Sequence, residues 1–417
     1  MIANVAVWTI CAASMAGVLT RPKGSSEWIW AVAGATTLAA LGLVPLGDVG
    51  AAVARGTDVY LFLTGMMLLA ELARREGVFD WIAAHAVRAA RGSRWRLFGL
   101  VYGVGIIVTT VLSNDATAVV LTPAVAAAVR KANAEPMPYL LACAFIANAA
   151  SFVLPISNPA NLVVFGKAIP TLPHWLVAFT LPSLLSIAAT FLVLGVVSRE
   201  GLTGEITSDV EQLGLRTGGR ITLGGVGITA VALLIASGFG APLGAITCVC
   251  GIVVFALGCL REPAAFRDVA RSVSWSVLLL VAGLFVLVQG LDATGLLQLT
   301  RHAVGAIAAW PQPFSVLAAA GFTALASNMM NNLPAGLIAG SSVTTLHGHD
   351  ALRSAVAIGI DLGPNLSVTG SLATVLWLIA LRRERIDVDA WTFLRAGVCV
   401  MPPALILAVL CVLLTTR

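Results

Sequence analysis

Two aspartates stand in otherwise apolar stretches of this sequence. Asp115 follows Ser113 and Asn114, and Asp361 stands just before a Gly-Pro-Asn triplet. A carboxylate in apolar surroundings is expensive to keep charged, so each is a candidate for a functional role, here proton coupling. For Asp115 the alternative is a helix cap, because Ser-Asn-Asp is favourable N-cap chemistry. A cap is less natural for Asp361, because glycine and proline follow at once.

Neutral hydrogen-bonding side chains gather around the same two aspartates and at two further places. The candidate substrate-binding residues are Ser113, Asn114, Asp115, Thr117, Asn158, Asn161, Ser327, Asn328, Asn331, Asn332, Asn365 and Ser367. Amides and hydroxyls in this number suit a small, neutral, polyhydroxylated solute. A multivalent anion would favour a nearby arginine or lysine, and the only basic residue expected inside a span is Arg395.

The composition restricts the class of protein that these residues serve. Of 417 residues, 59% are hydrophobic and 11% are charged, and the mean hydropathy is +0.95. A soluble domain carries about 25% charged residues, so soluble enzymes and nucleic-acid binders are excluded in favour of a polytopic helical membrane protein. The seven cysteines lack the spacing of a zinc site, and no Gly-rich phosphate loop is present, so neither a metal, a cofactor nor ATP hydrolysis by this chain is expected.

Apolar windows of about 20 residues predict the membrane spans. Ten are expected, near 2–20, 28–46, 58–74, 140–165, 174–198, 221–239, 241–260, 274–291, 354–381 and 390–415. Polar clusters divide the stretches 97–129 and 312–344, which predicts two re-entrant helical hairpins. Prolines and polar residues also interrupt 140–165 and 354–381, so these two spans are expected to be broken. The mixed segment 75–96 predicts an interfacial helix.

The order of these parts occurs twice. Three positions have the same spacing in both halves, since Gly65, Glu71 and Gly77 match Gly283, Gln289 and Gly295. Ser113-Asn114 likewise matches Ser327-Asn328. Because each half makes five crossings, an odd number, the second half starts on the opposite side, which predicts inverted repeats at 1–198 and 221–417 joined by a linker at 199–220. Glu71 and Gln289, near span ends, are interpreted as packing or interface residues.

The positions of the basic residues independently indicate the orientation of the chain in the membrane. With the loops alternating as above, 19 of the 25 lysines and arginines fall on one side of the membrane and five on the other. By the positive-inside rule the first side is cytoplasmic. The linker is then cytoplasmic and both termini are extracytoplasmic, with residues 2–20 forming the first span rather than a cleaved signal peptide.

The polar motifs resemble those of a known family. The segments are Ser113–Pro123, Pro155–Leu162, Ser327–Pro334 and Asp361–Asn365, and with them the whole chain resembles the ArsB-type arsenite/antimonite permeases of the ion-transporter superfamily. The resemblance implies efflux of trivalent arsenic or antimony as the neutral trihydroxide across the inner membrane, driven by the proton gradient. It also implies that a soluble arsenite-stimulated ATPase docks on the cytoplasmic face of some members.

Other functions stay open at this point. A sodium/proton antiporter of the same superfamily would use the same fold and aspartates, with sodium held by the Ser-Asn motifs and free carbonyls. Within the arsenite hypothesis, thiolate ligands are the rival to Asn, Ser and Thr, although Cys248 and Cys250 point in different directions on a helix. An intramembrane enzyme is the third alternative, and it is disfavoured because the sequence contains neither a zinc His pair nor a catalytic dyad motif.

Overall fold

A computed structural model describes residues 2–207, 214–343 and 349–415. The regular structure of the described residues is helical, apart from one isolated β-bridge between Ser93 and Glu205. Parts of four predicted ranges lie outside them, namely residue 1 of the first repeat, 208–213 of the linker, 344 of the second hairpin, and 344–348 and 416–417 of the second repeat.

Eleven α-helices form the first half of the chain. They are α1 (Ile2–Thr20), α2 (Glu27–Ala40), α3 (Leu46–Arg55), α4 (Thr57–Arg75), α5 (Val78–Ala89), α6 (Arg94–Val111), α7 (Asn114–Ala116), α8 (Thr122–Lys131), α9 (Met137–Ala149), α10 (Pro159–Phe165) and α11 (Leu172–Val197). A π-helical stretch, Thr117–Leu121, joins α7 to α8.

The second half repeats this order within its described residues. Its helices are α12 (Thr217–Gly238), α13 (Leu243–Arg261), α14 (Ala264–Ser272), α15 (Ser276–Ala293), α16 (Leu296–Ala308), α17 (Phe314–Met330), α18 (Asn332–Val343), α19 (Asp350–Leu362), α20 (Leu372–Arg383) and α21 (Ala390–Thr415). Helix α12 corresponds to α1, α17 to α6, α18 to α7 and α8, and α21 to α11.

The two halves exchange equivalent contacts. Helix α4 of the first half packs along α13 of the second, and α15 of the second packs along α2 of the first. The long helices α11 and α21 pair with each other. Such reciprocal packing is the pattern that a two-fold axis between two repeats produces.

Length and composition identify the helices that can cross a bilayer. Seven helical segments of the described chain qualify: α1, α6, α11, α12, α13, α21 and the continuous stretch Ala264–Ala293. An eighth arises if α3 and α4, which meet at 47°, count as one bent span. The predicted span 28–46 is only 14 helical residues long in α2. The predicted spans 140–165 and 354–381 are each divided into two short helices, as their prolines led us to expect.

Two short amphipathic helices are absent from the sequence-based prediction. Helices α3 and α14 occupy equivalent places before α4 and α15, in segments expected to be loops. Their apolar and polar residues alternate at helical spacing, but nine or ten residues are too few to appear in a search for membrane-length windows. Helix α3 meets α4 at 47°, whereas α14 continues into α15 within the one stretch Ala264–Ala293.

An ionic cluster ties the halves together where α4 ends. The guanidinium Nη2 of Arg75 lies 2.9 Å from Oε1 of Glu262 and 3.3 Å from Oδ2 of Asp268, and Nη1 lies 3.1 Å from Glu76. The hydrogen bond from Arg75 holds the pKa of Glu262 below its ordinary value. Because Glu262 and Asp268 are largely exposed, this cluster orients α13 and α14 more than it stabilises the fold.

Glycines allow the closest of these helix crossings. A Cβ on Gly65 of α4 would lie 2.2 Å from the carbonyl oxygen of Thr247 on α13, and one on Gly283 of α15 would lie 2.7 Å from the backbone of Ala31 on α2. Small residues let helix backbones approach in a membrane, where packing rather than hydrophobicity drives helix association. The glycine pair that the sequence indicated as a repeat thus marks two equivalent crossings.

We expect Gly65→Leu to destabilise the protein, because the new side chain would separate α4 from α13. Overpacking in a well-packed core typically costs about 1–3 kcal/mol, which should lower the unfolding temperature of the detergent-solubilised protein by several degrees. Gly227→Leu is the matched control, since a Cβ there meets no atom within 4 Å. Equal melting of the Gly65 variant and the wild type would contradict the proposed importance of this crossing.

Candidate functional site

The first polar break lies between α6 and α7. Ser113 adopts an extended conformation, and its Oγ accepts a hydrogen bond of 3.2 Å from the backbone N–H of Ala116. Ser113, not Asp115, is therefore the N-cap of the returning helix. The Asp115 carboxylate has no hydrogen-bond or ion-pair partner among the described residues, and it faces a cavity.

The second break, between α17 and α18, has the same construction. Asn331 has a φ of +75°, and its Oδ1 accepts a hydrogen bond of 3.3 Å from the N–H of Leu333. Helix α18 then begins at Asn332, as α7 begins at Asn114. The structure therefore aligns Ser113-Asn114 with Asn331-Asn332. The predicted match with Ser327-Asn328 is wrong, because those two residues lie in the last turn of α17.

The two broken spans are joined by reciprocal hydrogen bonds. Asn158, the N-cap of α10, donates from Nδ2 to Oδ1 of Asp361 near the end of α19, at 2.7 Å. Ser371, the N-cap of α20, donates to Oδ1 of Asn148 near the end of α9, at 3.3 Å. Asn148 and Asp361 are each the second-last residue of their helix. In each half, the residue that caps the second helix of the broken span therefore also donates a hydrogen bond to the end of the first helix in the other half.

Asn148 is a residue that the sequence analysis missed. It is fully buried, and its Nδ2 donates to Oδ1 of Asn365 at 2.9 Å, while Nδ2 of Asn365 donates to the carbonyl of Phe145 at 3.1 Å. The available signal was its place in the first repeat, equivalent to that of Asp361 in the second. A single asparagine in an apolar helix has no further pattern that would distinguish it.

Several predicted site residues form hydrogen bonds within the protein and do not line either cavity. Asn161 donates to the carbonyl of Ser151 at 2.9 Å, and Thr117 shares a hydrogen bond of 2.8 Å with Thr109. Asn328 bonds the carbonyls of Ala324 and Gly363 and accepts from Ser367 at 2.6 Å, while Ser327 bonds the carbonyl of Ala324. Residues of the candidate set that do not line either cavity are Thr117, Asn161, Ser327, Asn328, Asn331, Asp361, Asn365 and Ser367.

A small inner cavity lies where the two helix starts and α10 meet. It is partly open and has about 230 Å³ of empty space, solvent space included, and its walls are Leu63, Asn114, Asp115, Asn158, Pro159, Asn332, Leu333, Leu372 and Ala373. The amide oxygens of Asn114 and Asn332 are buried, and neither has a hydrogen-bond partner in the described chain. Each residue is only 2% exposed. Unpaired buried acceptors are uncommon, so these two oxygens lack the hydrogen-bond donor that a buried acceptor normally has.

A larger, partly open outer cavity, with about 630 Å³ of empty space including solvent space, adjoins the inner one. The two share Leu63, Asp115 and Pro159 in their walls. The outer cavity extends to Glu71 near the end of α4 and to 272–274 between α14 and α15. Glu71, interpreted from the sequence as a packing or interface residue, is thus a cavity residue as well.

The walls of both cavities have a distinctive chemistry. Among the described residues that line them, only Asp115 and Glu71 are ionisable, and neither a basic residue nor any of the seven cysteines is present. The remaining polar groups are amides and hydroxyls. The arrangement can accept hydrogen bonds from a small solute and can exchange a proton at Asp115, and it offers no thiol and no positive charge.

Three relatives have names that describe membrane pumps or transporters. Over 411 residues the chain is 26% identical to an arsenical pump membrane protein of Escherichia coli, covering 93% of each protein. Over 402 residues it is 27% identical to an arsenical pump membrane protein of Yersinia enterocolitica, covering 92% of each. An uncharacterized transporter of Mycobacterium tuberculosis is 27% identical over 372 residues, with 84% of each chain covered.

A solved structure and a family profile agree with this. The fold is similar to that of the YdaH transporter of Alcanivorax borkumensis, with a TM-score of 0.56 at 15% identity, covering 87% of this chain and 86% of that one. The profile of a family described as "Citrate transporter" matches residues 5–362, most of the chain. The protein, an all-α polytopic membrane transporter, therefore belongs to the citrate transporter family.

Proposed function

We propose that this transporter exports trivalent arsenic or antimony as the neutral trihydroxides, in exchange for protons. The observation that carries the proposal is the inner cavity, whose wall residues include Asp115 and the two asparagines with unpaired amide oxygens, Asn114 and Asn332. A trihydroxide has three O–H donors, and this site presents acceptors to them. The arsenical pump membrane proteins among the relatives support the same substrate class.

The charge of the walls favours a neutral solute over the tricarboxylate in the family's description. A citrate trianion would have to shed much of its hydration, and anion sites offset that loss with arginine, lysine or a bound cation. The described cavity walls contain no such side chain, and their ionisable groups are acidic. The described cavity walls also contain no cysteine thiol, which makes thiolate ligation an unsuitable route for arsenic here.

Proton coupling is assigned to Asp115 and Asp361. Asp115 borders both cavities, so protons and substrate can reach it. Asp361 lies one layer deeper, 0% exposed, with Oδ1 bonded to Asn158 and Oδ2 without a partner among the described residues. A protonated carboxyl crosses apolar surroundings at far lower cost than a carboxylate. Protonation from outside would therefore allow the empty site to return.

The proposed cycle is one of alternating access. In it the two hairpins (97–129 and 312–344) and the broken spans (140–165 and 354–381) form the moving unit of two inverted repeats, and the other helices form the scaffold. The outer cavity reaches Ser272 and the end of α4, on the side where the basic loops collect, which supports a cytoplasm-facing conformation in the inner membrane. A soluble ATPase could dock on those loops, although the proposed cycle does not require one.

The direct test is arsenite uptake into everted membrane vesicles under an imposed pH gradient. Wild-type protein should accumulate arsenite only with the gradient. Asp115→Asn should remove the dependence on it or abolish uptake, because the amide cannot exchange the proton. Asp361→Asn should do the same while retaining a hydrogen bond with Asn158. Asp48→Asn, at an exposed position on α3, is the matched control and should behave as wild type.

Two other outcomes would contradict the proposed proton carriers or the proposed substrate. Wild-type coupling in both the Asp115 and the Asp361 variants would exclude these residues as the proton carriers. Sodium-dependent proton movement without arsenite uptake would move the protein to the sodium/proton antiporters, so a parallel measurement includes sodium.

A second prediction concerns the unpaired amides. Asn114→Ala and Asn332→Ala should each raise the KM for arsenite about tenfold, because each removes one acceptor worth roughly 1–1.5 kcal/mol. Asn133→Ala, at an exposed turn after α8, is the control and should leave KM unchanged. Initial rates of uptake in the same vesicles measure the effect, and an unchanged KM in both cavity variants would show that these oxygens do not contact the solute.

A further inference from the structure

The outer cavity is more than an opening onto the inner one. Its walls are mostly apolar, and their polar side chains are the carboxylates of Glu71 and Asp115 and the hydroxyls of Ser113, Ser272 and Ser274. Asp115 and Ser113 lie at its inner end, where the two cavities meet. Glu71, Ser272 and Ser274 line the same cavity, and the proposed binding site does not use them.

Glu71 forms an ion pair with a residue that lies outside the cavity walls. Arg74, one turn further along α4, donates from Nε to Oε2 of Glu71 at 2.9 Å, and its Nη2 reaches Oε1. The side chain of Arg74 is 50% exposed and that of Glu71 only 12%. Arg74 is not a wall residue of either cavity. The arginine therefore contacts the carboxylate from the solvent side, and the carboxylate oxygens have further lone pairs that can accept other hydrogen bonds.

The equivalent place in the second repeat has different chemistry. Gln289 of α15 occupies the position of Glu71, and Arg55 of α3 donates a hydrogen bond to its side-chain oxygen. The carboxylate is thus present in one repeat and replaced by a neutral amide in the other. Since reciprocal packing puts these two positions at equivalent places in opposite repeats, the difference gives the molecule a chemical distinction between its two faces.

We propose that the outer cavity contains a second binding subsite for a small, neutral, polyhydroxylated solute, with Glu71 accepting its hydroxyl protons and Ser272 and Ser274 completing the contacts. The subsite receives the solute from the side where α4 ends, before it reaches Asn114 and Asn332. Two carboxylates in succession also disfavour anions in this passage. This inference rests on the proposed function, because the solute is the one proposed above.

The test compares kinetic constants from the two sides of the membrane. In everted vesicles, Glu71→Gln should raise the KM for arsenite about fivefold, since hydrogen bonds to charged groups exceed neutral ones in strength, with little change in the maximal rate. Arsenite counterflow measured from the opposite face should keep the wild-type KM. Glu71→Asp, which keeps the charge on a shorter side chain, should give an intermediate KM and serves if the Gln variant is not recovered from the membrane.

Arg74→Gln is the matched control. It breaks the same ion pair but leaves the carboxylate in the cavity wall, so its KM should stay within about twofold of wild type, as expected for loss of an exposed pair. An equal rise in KM in Arg74→Gln would assign the effect to the ion pair and overturn the subsite. An unchanged KM in Glu71→Gln, or a fall in maximal rate alone, would overturn it as well. Absence of any arsenite transport by the wild type would instead reject the proposed function and, with it, this subsite.

Discussion

Helices that end inside a membrane leave backbone groups that water cannot satisfy, and this constraint shapes the centre of the protein. Each unpaired N–H or C=O in hydrocarbon costs several kcal/mol. The chain meets the requirement with side chains placed at each break: Ser113 and Asn158 cap their own helices, and Asn328 bonds the carbonyl of Gly363. Most of the polar side chains in the centre therefore have hydrogen-bond partners. The two unpaired amide oxygens of the inner-cavity residues are exceptions, which makes them candidates for contact with a solute.

The two repeats share a framework but differ in their charged groups. Asp361 corresponds to Asn148, Asp115 to Leu333, and Glu71 to Gln289, when the equivalent helices are aligned from their breaks. In all three cases one repeat carries the carboxylate and the other a neutral side chain. A framework with two-fold symmetry can face either side of a membrane equally well. Under the proposed export function, these three differences would supply the asymmetry that directional transport needs.

Much of this organisation could be predicted from the sequence, because prolines and polar clusters are costly in a membrane-spanning helix unless the helix breaks there. The breaks at Ser113, Pro155–Asn158, Asn331 and Gly363–Asn365 were all located in this way. The alignment of Ser327-Asn328 with Ser113-Asn114 failed because residue identity was matched while the backbone break lies four residues later. Asn148 was missed for a related reason: its partner Asn365 is 217 positions away, and no local pattern reports such a contact.

The division between occupied and unoccupied polar groups could not be predicted from the sequence. The candidate side chains are alike in composition, yet packing assigns some to helix ends and others to the cavity. Asp115 illustrates the physics: the cap position goes to Ser113 because its hydroxyl reaches the N–H of Ala116, and the carboxylate two residues later is left to face the cavity. In the proposed cycle the cargo is neutral, so that carboxylate is the one charge of the inner cavity walls. Its protonation state would then set the electrostatic cost of moving the site across the membrane, which is the physical basis of the proposed proton coupling.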